Sequence, residues 1–108
     1  MTIDSFVSAL QGKDPKALAA CFGEDCHIID YCPTLVGQPT NYAKGPHGIE
    51  MFYRNRFPFG GFSIQNAQIV DENTADFYAT YYGKTVFAQA TATPGADGSF
   101  KEVVIRPA

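Results

Sequence analysis

Apolar residues recur at helical spacing at Ile3, Phe6, Val7 and Leu10 until Gly12 interrupts them, so the chain is expected to open with a short helix. Asp14-Pro15 then supplies an N-cap with proline at the first helical position. Leu18, Cys21 and Phe22 form the apolar stripe of a second short helix that Gly23 ends. From Cys26 to Cys32 the residues are β-branched, aromatic and small, the composition of a strand. Pro33 to Gly45 reads as a loop with room for a brief strand around Gln38 to Ala43. Pro46 opens a third helix with Ile49, Phe52, Tyr53 and Phe57 on one face, closed by Pro58 and the Gly60-Gly61 pair.

The rest alternates with the period of strands: Phe62 to Val70, Thr74 to Tyr82, Lys84 to Thr93 and Phe100 to Arg106. Asp71-Glu72-Asn73, Gly83 and the stretch Pro94 to Gly98 are reversals, so the four strands form an antiparallel meander. The apolar phase slips between Ile64 and Ala67, which predicts a bulge that bends the sheet. The third strand of the meander has Val86, Ala88, Ala90 and Ala92 on one side and Thr85, Phe87, Gln89, Thr91 and Thr93 on the other. Its small apolar side suits a subunit interface, and its uncharged polar side suits the wall of a cavity.

The length of 108 residues fits one α+β domain spanning 1–108. Aromatics reach 14% with no Trp, and charged residues supply only 18%, below the roughly 25% of an ordinary domain. This combination points to surface buried twice, once in the core and again in a pocket or interface. A net charge of -3 with scattered Lys and Arg argues against nucleic-acid binding. No apolar run approaches the ~20 residues of a membrane helix, and the first residues lack the pattern of a secretory signal, so the expected compartment is cytoplasmic. The three cysteines match no disulfide or zinc spacing. Cys26 and Cys32, read as one strand, would lie about 20 Å apart, too far to bridge. No metal site and no nucleotide-binding or nucleophile-elbow motif is expected.

The order of elements carries a resemblance across essentially the whole chain. Phe6 to Leu10, the run Asp14-Pro15-Lys16-Ala17-Leu18 leading to Phe22 and Asp25, the Gly45 to Phe52 helix entry and the four closing strands resemble the nuclear transport factor 2-like superfamily. The fold so implied is an α+β cone, a cystatin-like roll in which a curved antiparallel sheet wraps three helices from the N-terminal half. Within it the chain looks most like the polyketide cyclase (SnoaL-like) and ketosteroid isomerase branch. That branch implies a small, often cyclic apolar ligand inside the cone, no cofactor, and a homodimer through the sheet. It also implies a carboxylate base at the end of the first strand, where Asp30 stands in Ile28-Ile29-Asp30-Tyr31. The branch's isomerases add a tyrosine on the first helix and a protonated aspartate on a late strand. Phe6 and Thr91, or its neighbour Ala90, occupy those places here, and a phenyl ring donates no hydrogen bond, so an oxyanion hole of that make is not expected.

Asp30, behind two isoleucines, is the candidate general base, because a desolvated carboxylate has a raised pKa suited to removing a proton beside a carbonyl. Phe6, Tyr53, Phe87, Gln89 and Thr91 are the candidate substrate-binding residues, with Tyr78, Tyr81 and Tyr82 as further sources of a hydroxyl. Val86, Ala88, Ala90 and Ala92 are the expected dimer face. His27 should face away from Asp30, His47 falls in the first turn of the third helix, and Arg54 should pair with Glu50 at i,i+4. Two functions remain open. One is a cofactor-independent cyclase, isomerase or dehydratase acting on a small apolar cyclic substrate through Asp30. The other is a non-catalytic ligand-binding or dimeric interaction module of the same fold.

Overall fold

A computed structural model describes residues 1–108. Helices α1 (Ile3–Gln11), α2 (Pro15–Ala19) and α3 (Pro46–Arg56) accompany strands β1 (Phe22–Asp30), β2 (Asn41–Lys44), β3 (Ser63–Asp71), β4 (Thr74–Tyr81), β5 (Lys84–Pro94) and β6 (Phe100–Pro107). Each helix starts as its sequence requires. The Asp14 side chain accepts the Ala17 amide at 3.0 Å to cap α2, and Pro46 follows Gly45, whose φ of 77° turns the chain into α3. No helix is long and apolar enough to cross a membrane.

The strands form one open, curved six-stranded sheet in the order β2-β1-β6-β5-β4-β3. β3 to β6 make the expected antiparallel meander, and β6 then runs parallel to β1, with Ile28 beside Val103 and Asp30 beside Ile105. The predicted slip in β3 is present. Pairing with β4 shifts between Gln65 and Gln68 around Asn66, which has a φ of 54°. The β4–β5 hairpin turns on Tyr82 and Gly83, both at positive φ, which matches the twist of the flanking strands.

The first strand begins earlier than its apolar run suggested, at Phe22, and ends earlier, at Asp30. Glu24 and Asp25 hide the strand signal because they lie exposed at a register shift between Phe22 and His27. Cys32 belongs to a 3-10 turn over Cys32–Val36, because Pro33 cannot continue the ladder. The three thiols are free and buried.

The largest correction concerns β5. Val86, Ala88, Ala90 and Ala92 are all buried in this chain's own core, so they are not the docking face expected of them. Phe87, Gln89 and Thr91 lie on the outer face and line no interior: Phe87 is 44% exposed, and Gln89 donates to Asp76 at 2.9 Å. The alternation was right and its direction was reversed. The reason is register: Ala88 sits opposite Phe77, Ala90 opposite Ala75 and Val86 opposite Ala79, so the inner face of β5 must be small to admit the Phe77 ring. Phe87 instead stacks on Tyr78 outside, with ring centroids 4.9 Å apart.

Candidate functional site

Two buried polar residues mark one end of the sheet. Asp30 ends β1 and Asn41 begins β2, the two are register partners, and each is only 2% exposed. The Asp30 carboxylate accepts the Cys32 amide at 2.9 Å through Oδ1 and the Tyr81 hydroxyl through Oδ2. Tyr81 ends β4, so the bond ties the two ends of the curved sheet across its concave side. Burial raises the Asp30 pKa, and the bonds from Tyr81 and Cys32 only partly offset it. Burial and the facing Asp30 carboxylate in turn push the Tyr81 phenol far above its ordinary range. Burial pushes the Cys32 thiol up as well, with the Asp30 charge adding to it, which leaves that thiol unreactive.

Behind this pair the cone is filled with rings. Tyr53, Phe57, Phe62 and Tyr81 follow one another with centroid separations of 5.2, 5.6 and 5.6 Å. The Tyr53 hydroxyl is fully buried and has no hydrogen-bond partner, which is rare enough in a core to need an explanation. Desolvation, then the Asp30 charge, raise its pKa, while Arg56 acts in the opposite sense.

A cavity of about 10 Å³ remains between Asn41, Arg56, Phe59, Phe62, Tyr81 and Tyr82. That is room for one water molecule and no more. Its mouth is held by contacts that the chain makes at some strain. The Tyr82 amide donates to the Gly60 carbonyl at 2.8 Å, and Arg56 donates to the Tyr82 hydroxyl at 3.0 Å. Tyr82 has a φ of 52°, unusual for an aromatic residue, and a Cβ on Gly60 would meet its ring at 2.9 Å. Only glycine at 60 lets the α3–β3 connection lie this close.

Of the residues singled out in the sequence, the structure brings Asp30 and Tyr53 to this end. Phe6 is wholly buried and packs edge-on against Phe22 at 6.3 Å; it lines none of the cavities. Phe87, Gln89 and Thr91 are outside, as above. His27 faces away from Asp30 and bonds Glu102 at 2.7 Å, His47 is exposed, and Arg54 bridges Glu50 at 2.8 Å. No group of three His, Cys, Asp or Glu side chains is placed to hold a metal ion. Asn41 and Arg56 were not foreseen. Asn41 shares the inward phase of Ala43 in a strand too short to show a period, and Arg56 lies in the last turn of α3, where a cation is ordinarily an exposed partner of the helix dipole.

Three helices packed on the concave side of an open, bent, six-stranded sheet define the nuclear transport factor 2-like, or cystatin-like, fold. The chain is similar to a SnoaL-like protein of unknown function from Burkholderia thailandensis at 12% identity, over 97% of this chain and 89% of that one, with a TM-score of 0.65. It is similar to a hypothetical protein of ketosteroid isomerase-like fold from Catenulispora acidiphila, solved in complex with trimethylamine, at 14% identity over 96% and 82% of the chains and a TM-score of 0.68. An uncharacterised cystatin-fold protein from Novosphingobium aromaticivorans superposes with a TM-score of 0.69 at 12% identity over 95% and 92%. No protein-family model and no curated protein matches the sequence. At these identities the likeness is one of fold.

Proposed function

We propose that the protein binds a small organic molecule at the Arg56, Phe59 and Tyr82 mouth of the cone and that the Asp30–Tyr81 pair moves a proton on it without a cofactor. The observation that carries this reading is Asp30 itself, a buried carboxylate of raised pKa with no cation partner, bonded to a tyrosine that faces the cavity. A protein of the same fold has been solved with a small organic molecule, trimethylamine, which supports the class of ligand.

Tyr81 stands between Asp30 and the cavity. A proton leaving a carbon beside the ligand's carbonyl passes to the Tyr81 oxygen as Tyr81 passes its own proton to Asp30. The C–H electron pair becomes the enolate double bond, and the carbonyl pair moves to oxygen. Return of the proton to another carbon is isomerisation, and attack of the enolate carbon on a second carbonyl of the same molecule is cyclisation. Asn41, whose buried amide makes no side-chain hydrogen bond, is the group within reach to orient the ligand's oxygen.

The test needs no knowledge of the natural substrate. In D2O, exchange of the protons beside the carbonyl of 2-cyclohexenone, followed by proton NMR, should be faster with the protein than in buffer. Asp30→Asn should reduce the acceleration by about 100-fold or more. The second reading, a binding module without chemistry, is favoured by the ring-filled cone and its one-water cavity. It expects ligand-induced shifts at the mouth with exchange no faster than in buffer.

A further inference from the structure

Arg56 is the one charged side chain that lines the cavity. Its guanidinium sits 5.2 Å over the Phe52 ring and gives a hydrogen bond to the Tyr82 hydroxyl. That leaves most of its donors without a partner. The chain's ion pairs are His27 with Glu102 and Arg54 with Glu50, so no carboxylate neutralises Arg56. Its neighbour Arg54, one turn-face away, shows what an ordinary α3 arginine does: it takes the glutamate four residues earlier. Asp30, the buried carboxylate of this end, is bonded to Tyr81 and the Cys32 amide instead.

A second observation lies across the cavity. Asn41, only 2% exposed, lines the same space, and its side-chain amide is not engaged by Asp30, Tyr81 or Arg56, whose hydrogen bonds run elsewhere. An unbalanced guanidinium and a buried amide lining one cavity form a donor set for an anion with two acceptor oxygens. The outermost wall is Phe59, 63% exposed and absent from the chain of ring contacts that fills the cone, so it is the side chain that can yield to an apolar group. Resting on the ligand site proposed above, we infer that the ligand carries a carboxylate, held by Arg56 and Asn41, on an apolar body that takes the place of the Phe59 ring.

Benzoate and benzamide test this directly, because they share ring and shape and differ in charge. Titration of the nitrogen-15-labelled protein with each, read from amide shifts at Asn41, Tyr81 and Tyr82, should show benzoate binding at least about tenfold tighter. Arg56→Gln should abolish that preference, with a dispersed amide spectrum and a cooperative urea transition showing that the variant is folded; Arg56→Lys should restore part of it. Equal binding of the two probes, with shifts at these residues, would overturn the carboxylate inference and leave the ligand site standing. Absence of shifts at these residues with either probe would overturn the site and the inference together.

Discussion

The two faces of the sheet hold similar side chains and differ in what those side chains lack. Outside, Tyr78, Phe87, Gln89 and Asp76 form a patch in which the rings stack on each other and the amide bonds the carboxylate, so each polar group has a partner or water. Inside, at the end of the cone, Tyr81, Tyr53, Asp30 and Asn41 are buried, and the Tyr53 hydroxyl has nothing to bond. Composition does not separate a site from a surface, since both regions are aromatic and polar. Unmet hydrogen-bonding capacity under burial does.

Deletions of equal size should expose that contrast most strongly. Phe77→Ala on the inner face should cost about 3–5 kcal/mol in urea unfolding, the range for a fully buried ring. Phe87→Ala on the outer face should cost about 1 kcal/mol, mainly its stacking on Tyr78. Similar losses at both positions would mean that the outer face is buried in solution. Added volume is a weaker probe of the same difference: Ala90→Leu should cost about 1–3 kcal/mol by overpacking, and Thr91→Leu beside it less than about 0.5 kcal/mol.

The β5 strand also shows how far the sequence could be read. Alternation along Thr85 to Thr93 was legible because period two is intrinsic to a strand, but which side faces inward depends on Phe77, a residue on the neighbouring strand. Local signals located the β3 bulge and all three helices, since each depends on residues close in sequence, whereas they ran the first strand on to Cys32 and only the family resemblance put Asp30 at its end. The Tyr81–Asp30 bond spans 51 positions, and the Asn41 and Arg56 cavity joins β2 to the end of α3. Such contacts arise only once the sheet has curved. The aromatic surplus is accounted for in the same way: Tyr53, Phe57, Phe62 and Tyr81 fill the cone that the sequence was expected to leave open.

The inner cluster should reveal itself through pH. A carboxylate whose folded pKa is raised binds its proton more tightly in the folded state. Its contribution is therefore fullest below the ordinary aspartate pKa of 3.8 and is lost as pH rises toward the folded value. Asp30→Asn carries no such dependence. The stability of Asp30→Asn relative to wild type should increase from pH 3.5 upward, by about 1.4 kcal/mol for each tenfold tightening of proton binding, and then level off. A difference that stays flat or falls with pH would mean that Asp30 is not desolvated. An effect of opposite sign is expected at Tyr53. Removing its unpartnered hydroxyl with Tyr53→Phe should raise stability by about 1 kcal/mol, and a loss of that size would reveal a partner for the hydroxyl.

The most direct measurement is an NMR titration of the Asp30 carboxyl carbon in wild type and Tyr81→Phe. The wild-type midpoint should lie above the aspartate range, and loss of the Tyr81 bond, which favours the ionised form, should move it higher still. A wild-type midpoint at or below 3.8, unmoved by Tyr81→Phe, would contradict a buried Asp30–Tyr81 pair poised for proton transfer.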